Sequence, residues 1–235
     1  MEKSDVTDKI ASVKSNLAGL SEERLRQLEH EFQTEFTYNS VAMEKGKVTF
    51  EEVKRFLEGE EVDLKFKKIA NNHLEALSYV NENVRNNIPL SEEIIKDIHQ
   101  IVMKDIMDGG WYRNVDISVK GSLHTPPNHL KVYDRMKKFI FDLSQHSGNP
   151  IEKAAFVHLQ LSKIYPFLDG NGRTARLCLN YQLLSEGYLP VIVPVSRKNE
   201  YFEALEEFKL TKNPTPFEQF VASLENNQIQ NLMNL

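Results

Sequence analysis

The sequence predicts a mostly α-helical bundle carrying one small β-hairpin, and three observations support that reading. Apolar residues recur at three- and four-residue spacing through most of the chain. Gly and Pro fall singly between those segments rather than inside them. Convincing period-two alternation occurs at one place, where Val115, Ile117 and Val119 alternate with Asp116, Ser118 and Lys120 before Gly121-Ser122.

The helices follow in order. Residues 21–44 place Leu25, Leu28, Phe32 and Phe36 on one face, with Ser21 as cap and Glu22 and Glu23 at the positive end of the dipole. Thr49 with Glu52 is a capping box that opens a helix through Phe56 and Leu57, ended by Gly59. Residues 63–86 carry Phe66, Ile69, Ala70, Leu74, Leu77 and Val80 until Asn87 and Pro89 stop them. Ser91 caps a helix through Ile94, Ile98, Ile101 and Val102 that closes at Gly109-Gly110. After the hairpin, Pro126-Pro127 leads into a helix with Val132, Met136, Ile140 and Leu143, broken at Ser147-Gly-Asn-Pro150. One helix occupies about 151–164, two follow a glycine-rich segment, and a last one starts around Pro216. The expected organisation is N-terminal helices over 1–60 and a core over 61–235, packed as a single domain.

Composition limits the function classes. The 235 residues are 40% hydrophobic and 27% charged, the balance of a folded globular protein. A net charge of −5, with no long block of either sign, argues against a nucleic-acid surface. Cys178 has no second cysteine to pair with, and its apolar neighbours suggest a buried thiol in a reducing compartment. No signal-peptide core follows Met1 and no run approaches ~18 apolar residues, so a cytoplasmic protein that does not contact a membrane is expected.

Asp169-Gly-Asn-Gly-Arg173 lies between two helical patterns, and its glycines let backbone amides approach an anion at a helix N-terminus. Arg173 and Arg176 share a face of that first turn, where cations oppose the helix dipole by ~0.3–1 kcal/mol, so bound phosphates are their natural partner. The bland alternative is a turn with two solvated arginines, which makes the flanking helices and the arginine pair coincidental. Asp169 offers a hard oxygen for magnesium beside the phosphates. His158 reads as a packed or hydrogen-bonded core residue, and His124 and His129, flanking two prolines, do not make a helical metal pair. Ser40 and Glu44 share a helix face four residues apart, in plain terms an exposed helix end.

The stretch Tyr165-Pro-Phe-Leu-Asp-Gly-Asn-Gly-Arg-Thr-Ala-Arg176 resembles the signature of the Fic (Fido) family, His-Pro-Phe-x-Asp/Glu-Gly-Asn-Gly-Arg-x-x-Arg, and departs from it at the opening histidine alone. The similarity runs over about residues 36–220, including Gly110-Trp-Tyr-Arg113 and Arg197 through Tyr201. The resemblance implies AMP transfer from ATP and magnesium to a hydroxyl of a target protein. Gly170, Asn171, Gly172, Arg173 and Arg176 would hold phosphates, Asp169 the metal, and Asn180 and Tyr201 would lie near the nucleoside. The hairpin around 117–120 would be the flap that docks a target segment, and a homo-oligomer is left open. Ser40-Val-Ala-Met-Glu44 resembles the family's inhibitory helix motif, with Lys45 at the usual Gly/Asn position, so Glu44 would pair with Arg176 and misplace ATP. Tyr165 stands where the family has its general base, and a phenol of ordinary pKa about 10 is a poor base at neutral pH. Three activities follow: an autoinhibited and impaired AMP transferase, a nucleotide- or partner-binding pseudoenzyme, or a hydrolase in which Glu44 orients water to remove AMP.

Overall fold

The computed structural model describes residues 3–45, 48–62 and 64–235. Asp63 and the side chains of Lys45 and Phe66 lie outside the described residues. Among the described residues ten α-helices follow one another: α1 (Lys3–Ala18), α2 (Glu22–Lys45), α3 (Phe50–Leu57), α4 (Leu64–Arg85), α5 (Glu92–Met103), α6 (Val132–Ser144), α7 (Pro150–Ile164), α8 (Asn171–Ser185), α9 (Lys198–Thr211) and α10 (Thr215–Met233). The capping box at Thr49 forms as the sequence predicts, and Asn149 makes a second one with Glu152, with Pro150 in the first turn of α7.

Helix α8 is the axis of the fold. Every residue from Arg173 to Leu183 is buried, because neighbours cover all of its faces. One apolar cluster, with Leu179, Leu183, Tyr201, Phe217 and Phe220, joins α8 to α9 and α10. A second, with Ile95, Ile98, Met136, Leu177 and Tyr181, joins it to α5 and α6. A helix with no solvent face cannot rotate or slide without disturbing both clusters, so its N-terminus is a fixed point.

Helix α1 precedes the helical pattern that starts at residue 21, with Val6, Ile10 and Val13 buried in the cluster shared with α10. One expectation changes. The β-hairpin is not seen: among the described residues there is no strand, and 115–122 run as an exposed loop. Alternation marks extended backbone, but a strand needs a partner, and side chains hold this loop instead. Asp116 accepts hydrogen bonds from Asn128 Nδ2 and His129 N, and Glu206 accepts from Ser122 Oγ and Leu123 N. No helix among the described residues is long and apolar enough to cross a membrane.

Glu225 on α10 is fully buried, with Oε1 accepting from Leu189 N at 2.9 Å and Oε2 lacking a partner. Burial pushes its carboxyl up from 4.5 to about 7, against the Leu189 amide and Lys14. A carboxyl raised in the folded state contributes stability below its ordinary pKa that is lost as pH rises through its folded pKa. Urea unfolding of the wild type should therefore weaken between pH 4.5 and 7 by roughly 3 kcal/mol relative to Glu225→Gln. Parallel pH profiles for the two proteins would contradict this burial effect.

Candidate functional site at the start of helix α8

Helix α7 stops because Tyr165 adopts a left-handed conformation, φ 51° and ψ 63°. Arg113, buried at 3% exposure, secures that turn. Its Nε donates to Tyr165 O at 2.9 Å, its own amide donates to Pro166 O at 2.9 Å, and its other nitrogens donate to Val115 O and Pro127 O. One guanidinium thus ties the exposed loop to the start of the motif.

The loop after Tyr165 is shaped by two further side chains. Asn171 reaches back to Phe167, accepting from its amide at 2.9 Å and donating to its carbonyl at 2.8 Å. His99 stacks on the Phe167 ring with centroids 3.7 Å apart, donates from Nε2 to Asp169 O, and accepts at Nδ1 from the Gly110 amide. Burial, foremost, lowers its pKa to about 4, so the ring is neutral. His99 lies 70 residues from its partner, so no local sequence pattern could have marked it.

Gly170 begins α8 at φ 74°, and a Cβ there would sit 2.7 Å from Met103 Sδ. No side chain caps α8, which leaves its first amides directed at the opening. Into that opening come Arg173 and Arg176, each with a side chain 2% exposed. The carboxylate of Glu44, at the end of α2, is shared between them. Oε2 is 3.0 Å from Arg173 Nε and Oε1 is 3.0 Å from Arg176 Nη2. A Cβ on Gly172 would lie 2.5 Å from Glu44 Oε1, so glycine there is what lets the carboxylate rest on the helix start. Glu44 takes the position of an anion, and Arg173 Nη1 remains buried without a partner.

The expected site residues separate into two groups. Glu44, Gly170, Gly172, Arg173 and Arg176 meet at the opening, and Asp169 stands at its lip with Oδ1 accepting from the Gly170 amide at 2.7 Å. Asn171 and Asn180 point their amides into backbone instead: Asn180 is fully buried and clamps Val191 N and O. Tyr201 is buried behind Arg176, 3.4 Å from its Nη1. Burial, then the charges of Glu44 and Asp169, pushes the Tyr165 phenol up to about 12, the direction opposite to activation. Among the described residues no group of three His, Cys, Asp or Glu side chains could hold a metal by itself.

Helix α2 is docked by more than Glu44. Arg176 Nε donates to Ser40 Oγ at 3.0 Å and Nη2 to Ser40 O at 2.7 Å. Val195 N donates to Asn39 Oδ1, and Lys198 Nζ donates to Met43 O in the last turn. Glu44→Ala would leave two buried guanidiniums without their carboxylate. The expected stability loss is about 2–3 kcal/mol, below the ~3–5 of a fully buried pair because Glu44 keeps 20% exposure. Urea unfolding measures it, and millimolar inorganic pyrophosphate should recover most of it by taking the carboxylate's place. A loss that pyrophosphate leaves untouched would show that this opening does not take anions.

Residues 89–183 match the Fic/DOC family. The protein adenylyltransferase Fic of Drosophila yakuba is 33% identical over 211 residues, covering 84% of this chain and 41% of that protein. Its Drosophila melanogaster counterpart is 32% identical, with 84% and 42% covered. The chain therefore spans about two fifths of the length of these relatives. Among solved structures, a Fic-domain signalling protein from Bacteroides thetaiotaomicron superposes with a TM-score of 0.81 at 25% identity, covering 96% of this chain and 95% of that one. Fic-1 from C. elegans also gives 0.81 at 25% identity, covering 98% and 72%. The motif, the helical fold and these likenesses agree: the chain belongs to the Fic/DOC family.

Proposed function

We propose that this chain binds ATP at the start of α8 and transfers AMP to a protein hydroxyl, restrained by Glu44 and slowed by Tyr165. The observation that carries the reading is the Glu44 carboxylate resting where a helix N-terminus and two buried arginines would otherwise take phosphate. The curated relatives named as protein adenylyltransferases support the reaction class.

In this reaction the target hydroxyl oxygen bonds to the α-phosphorus, the bond to the β-phosphate oxygen breaks, and pyrophosphate leaves. The hydroxyl proton needs a base. The α8 amides and the two arginines hold the phosphates, and Asp169 is the carboxylate beside them that would hold magnesium. The ion would neutralise phosphate charge, its remaining ligands coming from phosphate oxygens and water. A target segment would lie along 117–120, whose backbone has no strand partner among the described residues.

Glu44 competes with the terminal phosphate for Arg176, so ATP seats productively only when α2 yields. Tyr165 is the second obstacle. With a pKa of about 12 its phenolate fraction at pH 7 is ~10⁻⁵, and a missing general base costs ~10²–10⁴ in rate. That same raised phenol favours a second reading, a protein that binds nucleotide and scarcely transfers it.

Three outcomes test this function. Arg173→Ala should lower ADP affinity by calorimetry about tenfold or more, since a charge-assisted hydrogen bond is worth ~1.5–3 kcal/mol. Glu44→Gly should alter ATP binding more than ADP binding, and equal effects would remove Glu44 from phosphate control. Tyr165→His should raise AMP transfer from labelled ATP on the order of 10²-fold, more in a Glu44→Gly background. A double variant that binds ATP and labels no protein would establish the binding-only reading.

A further inference from the structure

Behind Arg176, on the side away from Glu44, runs a buried line of polar groups. Arg176 Nη1 is 3.4 Å from the Tyr201 hydroxyl, that hydroxyl is 3.0 Å from His158 Nε2, and His158 Nδ1 is 3.3 Å from Ser162 Oγ. Arg176, Tyr201 and His158 are at most 2% exposed, so none can exchange these partners for bulk water. His158 also stacks against Phe217 with centroids 4.8 Å apart, which fixes its ring plane.

The direction of these bonds follows from satisfying each buried group. A guanidinium can only donate, so the Tyr201 oxygen accepts from Arg176. Among the described residues His158 Nε2 is the acceptor within reach of the buried Tyr201 proton, so Nε2 accepts. Nδ1 carries the ring proton and donates to Ser162. Burial, followed by the charges of Arg176 and Lys209, holds His158 well below its ordinary pKa and keeps the ring in this neutral form. A doubly protonated ring would leave the Tyr201 proton facing a donor.

We propose that His158 is a positioning residue: through Tyr201 it keeps Arg176 aimed at the start of α8 when Glu44 withdraws. Among the described residues, every other side-chain hydrogen bond of Arg176 goes to Ser40 or Glu44 on α2, the element whose carboxylate must give way to a phosphate. Tyr201 and His158 belong to α9 and α7, which do not have to move. An arginine held by α2 alone would recover rotamer freedom at the moment a phosphate needs it ordered. This proposal rests on the reading that the opening takes nucleotide phosphates.

The test is made in the Glu44→Gly protein, by calorimetry with magnesium ATP and with AMP, which lacks the phosphates Arg176 would reach. His158→Phe keeps the aromatic stacking and removes the acceptor, and should weaken ATP about five- to tenfold while changing AMP less than about twofold. Tyr201→Phe should give the same loss, and the two together no more than either alone. His158→Gln, whose carbonyl can accept, should restore most of the affinity. Equal losses for ATP and AMP, additive losses in the pair, or unchanged ATP affinity would each overturn the positioning role. If the parent protein fails to bind ATP, the functional reading falls, and the positioning claim is then decided by nitrogen-15 relaxation of the Arg176 Nε–H. Order that is lost on adding His158→Phe to Glu44→Gly supports it, and equal order in both proteins contradicts it.

Discussion

One carboxylate between two buried guanidiniums governs this molecule. Glu44 meets Arg173 and Arg176 at 3.0 Å each, on the N-terminal turn of a helix that has no solvent face. Two cations at the positive end of a helix dipole are unfavourable without an anion, and burial magnifies the penalty for leaving them unpaired. The fold therefore contains a standing demand for negative charge at this point. Glu44 meets it from within, and on the proposed reading the terminal phosphate of ATP must displace Glu44 to reach Arg176.

The surroundings keep that demand in place. Arg113 fixes the left-handed turn at Tyr165, while Asn171 and His99 shape the loop from Phe167 to Gly170, so the opening exists before any ligand arrives. Preorganised donors lose little on binding, which is why a helix start built this way suits a reaction that depends on holding phosphate charge. The α2 side is secured by Ser40, Asn39 and the Lys198 contact to Met43 O. The opposite side of Arg176 is secured by Tyr201 and His158. Arg176 thus stands between contacts to α2 on one side and to Tyr201, backed by His158, on the other.

Much of this was legible in the sequence, for identifiable reasons. The Gly-Asn-Gly-Arg helix start is local chemistry, and spacing alone places both arginines at the opening with Ser40 and Glu44 on a common face of α2. The part played by His99 was not legible, because it acts through a contact across 70 residues and the sequence shows only a histidine in an amphipathic helix. Glu44 touching Arg173 as well as Arg176 depends on the side-chain room left by Gly172. The alternation at 115–119 signalled extended backbone but could not reveal that Arg113, Asp116 and Glu206 would do the holding in place of a second strand. Helix α1 falls within the N-terminal helices expected over 1–60, but the seating of Val6, Ile10 and Val13 against α10 is a contact between the two ends of the chain that spacing does not show.

The central claim is that Glu44 and the terminal phosphate of ATP compete for one place. Carbon-13 NMR of the Glu44 carboxyl group during an ATP titration tests it most directly. The account predicts that the Glu44 signal shifts in proportion to bound ATP as the carboxylate leaves Arg176, and that adenosine, which carries no phosphate, leaves it where it was. ATP that binds while the Glu44 signal stays unmoved would contradict the account.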